Sequence, residues 1–188
     1  MASDKGSPMF NGESISLKYA LIENERRFLI RNRIAMSNNP RCLFIQDRYL
    51  VGTRLRLRRV EESGLPTVFK LGQKIRFDGS SPSENAHTTI YLSAKEFDLF
   101  ARLPANELEK VRWINPIGGQ SLAIDEFGGR LTGLILAEVD LETAGTIPSN
   151  FPIELNVEIT NDERFTGGEL AKTTSQQLTH ILDSYDIY

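Results

Sequence analysis

The first residues whose types and spacing suggest chemistry are Glu23, Glu25 and Arg27, at alternate positions in the segment LIENERRFLI. In an extended strand alternate side chains share one face, so two carboxylates and a guanidinium would project together. Carboxylate oxygens suit a divalent metal ion, and a guanidinium suits a phosphate. The strand therefore offers the groups for binding a metal, a phosphate or both.

Four other segments alternate in the same way, but each carries charges of mainly one sign. Two are basic on one face: Arg54, Arg56 and Arg58 in TRLRLRRV, with Lys110 and Arg112 in KVRW. Two are acidic on one face: Glu138 and Asp140 in LILAEVDL, with Glu154, Asn156 and Glu158 in IELNVEIT. A solvated sheet face usually mixes the two signs, because like charges on neighbouring strands repel. The separation favours charged faces that turn inward around a shared cavity.

Such a cavity would need counter-ions, because enclosing several like charges is costly unless they are compensated. Arginines and lysines would accept a polyphosphate, and clustered carboxylates would accept a divalent cation with oxygen ligands. A cavity holding both would be a site for metal-assisted phosphoryl transfer.

The elements that must position these residues are mostly strands separated by turn signals. The predicted strands are Leu17–Arg31, Leu43–Leu50, Thr53–Val60, Thr67–Ile75, Thr88–Leu92, Glu109–Asn115, Ser121–Phe127, Leu131–Leu141 and Ile153–Thr160. Strands that follow one another so closely favour an antiparallel sheet that curls or closes. Ser93 and Glu96 form a capping-box pattern that predicts a helix from Ala94 to about Leu103. Apolar residues at helical spacing predict a second helix from about Gly168 to Asp183.

The composition is that of one globular domain. The chain has 188 residues, of which 40% are hydrophobic and 25% charged. We expect residues 1–16 to be a flexible leader and residues 17–188 to form the domain. Cys42 is the only cysteine, so an internal disulfide is excluded. The short apolar runs, the absence of a signal pattern and the net charge of −3 predict a cytoplasmic protein without a membrane or nucleic-acid partner.

The ordered set of segments resembles the CYTH superfamily, the triphosphate tunnel metalloenzymes. The segments are IENERRFLI, IQDRYL, TRLRLRR, VFKLG, KVRW, LAIDEFGGRLTGLILAEVDLE and VEITNDERFTGGELA, and they span Ile22 to Ala171. The resemblance implies an α+β fold, mainly antiparallel: an eight-stranded closed tunnel-like barrel with a polar interior and helices packed outside. It also implies a small triphosphate-containing substrate and Mg²⁺ or Mn²⁺ as cofactor.

Carried over by position, the resemblance assigns roles to residues of this chain. The implied metal-side carboxylates are Glu23, Glu25, Glu138, Asp140 and Glu158. The implied phosphate ligands are Arg27, Arg54, Arg56, Arg58, Lys70, Lys110 and Arg112, with Arg27 and Lys110 as candidate catalytic residues. Which two of the three arginines Arg54, Arg56 and Arg58 match the family's RxR pattern is left open.

The sequence departs from the family pattern at two places. Arg27 stands where the family has lysine, which keeps the charge but gives up a titratable ammonium. The segment NAHTTIYL has His87, Thr89 and Tyr91 where the family usually carries glutamates. The leading hypothesis is a divalent-metal-dependent hydrolase of inorganic or organic triphosphates. The alternatives are a polyphosphate- or nucleotide-binding protein with little or no catalysis, and an adenylyl cyclase.

Overall fold

The structure is a computed structural model that describes residues 9–10, 12–14, 16–31, 40–117, 120–141 and 156–185. Strands dominate these ranges. They are β1 (Met9–Phe10), β2 (Glu13–Ser14), β3 (Leu21–Leu29), β4 (Arg41–Leu50), β5 (Leu55–Glu62), β6 (Val68–Ile75), β7 (Glu84–Leu92), β8 (Ala105–Ile117), β9 (Gln120–Phe127), β10 (Ile135–Asp140) and β11 (Val157–Glu158). The short β1 and β2 pair with each other inside the predicted leader.

Eight of the described strands close into an antiparallel barrel. Their order around the barrel is β10, β9, β8, β4, β5, β6, β7 and β3, and pairing of β3 with β10 closes the ring. In that closing ladder Glu138 lies opposite Arg27, and Asp140 lies opposite Glu25. The predicted eight-stranded closed barrel is therefore confirmed.

The other edge of β3 is shared between two strands. Residues Leu21 to Asn24 pair with β7, whereas Phe28 and Leu29 pair with β11. The predicted strand Ile153–Thr160 is seen only as β11, and residues 153–155 lie outside the described residues.

Several predicted strand boundaries change in the structure. Strand β8 is longer than the predicted Glu109–Asn115, since it pairs along nearly its whole length with β4 and β9. The predicted strand Leu131–Leu141 begins only at Ile135, because Gly129–Leu131 forms a turn of 3₁₀-helix first. Gly129 has a φ of 58°, which favours glycine at the start of that turn.

The first helix, α1 (Ala94–Phe100), has the predicted capping box of Ser93 and Glu96. It packs outside the barrel, where Phe97 and Phe100 cover a cluster that contains the buried Leu57 and Leu71. These leucines alternate with the inward-facing basic residues of β5 and β6. The expectation of a helix on the outer surface is met by α1.

The predicted helix from Gly168 to Asp183 is wrong as a single element. The structure has two helices, α2 (Gly167–Leu170) and α3 (Ser175–Asp183). The break comes at Thr174, whose side chain caps α3 by accepting from the amide of Gln177. The Gln177 side chain in turn accepts from the amide of Thr174, so a second capping box starts a new helix.

Helices α2 and α3 close one end of the barrel. Leu170, Leu178 and Leu182 join a buried cluster with strand residues that share faces with the charged side chains of the interior. The strand members of that cluster are Leu29, Leu108, Phe127 and Leu136. The bore is thus charged over part of its length and apolar where these helices cover it. No helix in the described ranges has the length and apolar character needed to cross a lipid bilayer.

Candidate tunnel site

The barrel encloses a cavity of about 550 Å³, a size typical of small-molecule sites. Eight basic side chains line it: Arg27, Arg54, Arg56, Arg58, Lys74, Arg76, Lys110 and Arg112. Six carboxylates line it: Glu23, Glu25, Asp47, Glu138, Glu163 and Glu169. The cavity therefore has an excess of positive charge, although the chain as a whole has a net charge of −3.

Most residues singled out from the sequence meet in this cavity. They are Glu23, Glu25, Arg27, Arg54, Arg56, Arg58, Lys110, Arg112 and Glu138. They come from strands β3, β5, β8 and β10, or from the residue just before β5. Directly opposed residues of neighbouring strands share a face of the sheet. Arg27 and Glu138 are opposed in this way, and both line the cavity, so the charged faces of their strands turn inward together.

Three of the predicted site residues do not line the cavity. Glu158 lies opposite Phe28, on the other face of β3, where it forms an ion pair with Arg26 and accepts from Thr160. Asp140 lies opposite Glu25 in the ladder but is not part of the cavity wall. Lys70 stacks over the exposed ring of Tyr91, with Nζ 5.1 Å from the ring centroid.

A buried aspartate that the sequence analysis did not select holds two of the arginines. Asp47 on β4 accepts from Nε and Nη2 of Arg58 at 2.6 and 2.7 Å. Only 1% of its side chain is exposed. Burial alone would raise the pKa of Asp47, but the charges of Arg58 and Arg56 outweigh burial and hold the pKa well below its usual range. Asp47 is therefore ionised and fixes the basic face of β5.

A second unselected aspartate, Asp125 on β9, organises the basic face of β8. It accepts from Nε and Nη2 of Arg112, both at 2.6 Å, and from Nζ of Lys110. Arg112 also donates to Glu138 across the barrel wall. Burial, followed by the charge of Arg112, lowers the pKa of Lys110 below its ordinary value. Burial would raise the pKa of Glu138, but Arg112 and Lys110 keep it well below its usual range.

Two arginines of the cavity make no hydrogen bond to a carboxylate in the described part of the chain. Nε of Arg56 is buried and has no hydrogen-bond acceptor among the described residues; Asp47 Oδ1, at 3.7 Å, is too distant. The guanidinium of Arg27 donates to the carbonyl oxygens of Phe165 and Thr160, at 2.8 and 3.2 Å. Because carbonyls carry no net charge, these two bonds do not neutralise Arg27, whose charge interacts instead with the nearby carboxylates of Glu138 and Glu25.

The opening residues of the sequence form a compact ionic cluster with β6 and β7. Nζ of Lys74 lies 2.9 Å from Glu23 and 2.6 Å from Glu25, and Nδ1 of His87 lies 2.6 Å from the other oxygen of Glu23. Burial would raise the pKa of Glu23, but the hydrogen bond with His87 and the charge of Lys74 lower it to about 2. Nε2 of His87 lies 3.2 Å from Oγ1 of Thr89.

The carboxylates of the predicted metal site are already paired in this arrangement. Glu23, Glu25 and Glu138 have suitable oxygens, but each already contacts a cationic side chain. Across the described ranges, no group of three or more His, Cys, Asp or Glu side chains is arranged to hold a metal ion. As arranged here, the donor set does not fit a resident divalent cation.

The cavity residues that the sequence analysis missed carry weak local signals. Lys74 could have been found by extending the alternation from Lys70 through Gly72. Asp47 and Asp125 are single acids in otherwise unremarkable strands. Their importance depends on which residue lies opposite: Asp47 faces Arg58 and Asp125 faces Arg112 in the ladders.

A closed antiparallel barrel with a charged bore defines this chain as a tunnel-fold protein. Two crystal structures of the protein NE1496 share this fold. One, described as an inorganic triphosphatase, is 24% identical over 80% of this chain and 95% of that chain, with a TM-score of 0.52. The other, described as a hypothetical protein, is 21% identical over 81% of this chain and 99% of that chain, with a TM-score of 0.53. At these identities the likeness shows the fold, and the tunnel fold implied by the sequence resemblance is confirmed.

Two sequence-based comparisons gave no match. No protein-family model matches the chain, and a search of curated proteins found no significant similarity.

Proposed function

We propose that the tunnel binds an inorganic or organic triphosphate and hydrolyses it to phosphate and a shorter polyphosphate. The observation that carries the proposal is the excess of basic over acidic side chains in an enclosed cavity of a net acidic chain. A polyanion would compensate that excess, which is otherwise costly to enclose. The structural likeness to an inorganic triphosphatase supports the same substrate class.

The arginines of β5 are the proposed phosphate ligands. A guanidinium has five N–H donors in a planar fork, so Arg58 keeps three of them after its two bonds to Asp47. Arg56 offers its buried Nε, which has no acceptor in the described part of the chain. Because two hydrogen bonds from Asp47 hold Arg58 in place before the substrate arrives, little ordering of Arg58 would remain to be done on binding.

Lys110 and Arg27 are the proposed catalytic residues, in agreement with the sequence hypothesis. In hydrolysis a water oxygen bonds to the terminal phosphorus while the bond to the bridging oxygen breaks; the leaving oxygen takes up a proton, and the attacking water gives one up, which restores the protonated donor. Lys110 is the candidate donor of this proton, because burial beside Arg112 lowers the pKa of its ammonium. Arg27, whose position is set by two carbonyls, would stabilise the charge that develops on the phosphate oxygens.

Mg²⁺ or Mn²⁺ is proposed to enter as a complex with the triphosphate and therefore as part of the substrate. Mg²⁺ commonly binds through substrate phosphates and only one or two protein carboxylates, and it keeps several water ligands. The steps assigned to Lys110 and Arg27 do not depend on where the ion sits.

A second candidate function is binding without turnover. It is favoured by His87, which occupies a position on β7 where the family has acidic groups and hydrogen-bonds Glu23. The two functions share the substrate and differ only in whether a bond is broken.

The test offers tripolyphosphate, thiamine triphosphate and ATP with Mg²⁺ or Mn²⁺, and it measures phosphate, pyrophosphate, cyclic AMP and the melting temperature. Hydrolysis predicts turnover that Lys110→Met abolishes while ligand-induced stabilisation persists. Arg56→Ala should weaken binding about tenfold or more, the loss expected for a charge-assisted hydrogen bond. Arg59→Ala is the matched control, because Arg59 lies on the outer face of the same strand and pairs with Glu61.

The other possible results of this test distinguish the alternative functions. Stabilisation without turnover supports the binding protein, and cyclic AMP release supports a cyclase. The proposal is overturned if no triphosphate changes the melting temperature and none is consumed.

A further inference from the structure

Lys74 on β6 lies where a cation shared by two carboxylates would lie. Its Nζ contacts one oxygen of Glu23 at 2.9 Å and one oxygen of Glu25 at 2.6 Å. Both carboxylates come from the same face of β3 and converge on this single atom. A divalent ion bound by the same pair would have to occupy nearly the same point, because its oxygen ligands lie within about 2.0–2.6 Å.

The surroundings of the pair are already neutralised by groups of the chain. Nδ1 of His87 contacts the second oxygen of Glu23 at 2.6 Å, so both oxygens of that carboxylate have partners. In the closing ladder Asp140 lies opposite Glu25 and is not part of the cavity wall, whereas Glu138 lies opposite Arg27 and is engaged by Arg112. At least three of the four carboxylate oxygens of Glu23 and Glu25 are therefore already engaged by groups of the chain, which reduces what is left for an external cation.

A tethered ammonium competes differently from a dissolved ion. Lys74 is held near the carboxylates by its own strand, so its effective concentration is high and independent of the solution. A metal ion must expel the ammonium, lose part of its own hydration shell and leave the positive charge of Lys74 nearby. Each of these requirements weakens metal binding at this pair.

We propose that Lys74 is a built-in counter-cation that occupies the ion position between Glu23 and Glu25 and excludes a resident divalent metal from it. Lys74 thereby determines the metal dependence of the tunnel. The free protein does not retain Mg²⁺ or Mn²⁺ at this pair, and a metal reaches the bore with a polyphosphate that carries it. The exclusion of metal by Lys74 is independent of the proposed function, because it concerns the protein without any phosphate.

The experiment measures Mn²⁺ binding to the whole chain at pH 7 in the absence of phosphate, by electron paramagnetic resonance of free Mn²⁺. Methionine approximates the lysine stem without its charge, so Lys74→Met should bind Mn²⁺ at least about tenfold more tightly than the wild type. The double variant Lys74→Met/Glu25→Gln should lose this gain, which assigns the ion to the carboxylate pair. Lys95→Met, on the exposed side of α1, is the control for a general loss of positive charge and should match the wild type.

The proposal is overturned if wild type and Lys74→Met bind Mn²⁺ equally, or if the gain survives in the double variant. Lys74→Gln provides a second uncharged variant if the methionine protein does not fold. Because no triphosphate is present, the result is independent of whether the tunnel binds or hydrolyses one.

Discussion

Replacing Asp47 by asparagine removes one negative charge from a deeply buried ion pair of the tunnel wall and keeps the side-chain shape. The side chains of Asp47 and Arg58 are 1% and 13% exposed, and two hydrogen bonds of 2.6 and 2.7 Å join them. Removing one partner of a buried pair strands the other charge and costs about 3–5 kcal/mol. For a chain of this size that loss corresponds to a fall in melting temperature of about 6–20 °C.

The assay is urea unfolding at pH 7 with Asp47→Asn and Glu61→Gln in parallel. Glu61 pairs with Arg59 on the exterior of the barrel, so its neutralisation should change the free energy of unfolding by no more than about 1 kcal/mol. Tripolyphosphate should then stabilise Asp47→Asn more than the wild type, since it supplies the missing negative charge to Arg58 and Arg56. A loss below about 1 kcal/mol in Asp47→Asn would refute the assignment of Asp47 as the ion that holds this wall together.

Three further predictions test other parts of the structure. Gly167→Ala should destabilise the protein by about 1–3 kcal/mol in thermal unfolding, because the new methyl would clash with the Tyr49 side chain, 2.9 Å from Cζ. Gly168→Ala is its control, because that methyl would lie 3.7 Å from the same ring, an ordinary contact distance. Thr174→Ala should cost about 1 kcal/mol through loss of the α3 cap, read from urea unfolding, and an unchanged midpoint would contradict the capping role. Because the pKa of Glu23 is lowered from 4.5 to about 2, its contribution to stability is present above pH 4.5 and is lost as the pH falls toward 2. Glu23→Gln should therefore show a weaker pH dependence of unfolding in that window, and identical slopes would contradict the shift.

The alternation of charges was enough to predict which strand faces turn inward. Arg56, Lys110 and Glu138 sit two apart from like-signed neighbours, and a period of two leaves only two possible faces. Because each strand carries charges of mainly one sign, the pattern then favoured charged faces that line a cavity over charged faces exposed to solvent. The alternation does not show which residues lie opposite each other on neighbouring strands. Asp47 and Asp125 could therefore not be predicted as the partners of Arg58 and Arg112.

Glu158 and Thr174 were assigned incorrectly for the same reason: the role of each depends on a partner residue that its own sequence pattern does not reveal. Glu158 was assigned by its own alternation, but its face is set by pairing with Phe28 in a strand of only two residues. The C-terminal helical pattern revealed an apolar stripe without revealing what it covers. Thr174 looks like one more residue of that stripe until its capping bonds with Gln177 are known.

The closure of one barrel end by α2 and α3 bears on how the chain is made. Leu29 is buried against residues such as Leu170 and Leu182, which follow every barrel strand in the sequence. While the chain emerges from the ribosome, the apolar lining at Leu29 and Leu108 stays uncovered until these helices have been synthesised. We therefore expect a barrel with one open, solvent-exposed end during synthesis, a species prone to misassembly, and slowing translation late in the message should lengthen its exposure to chaperones.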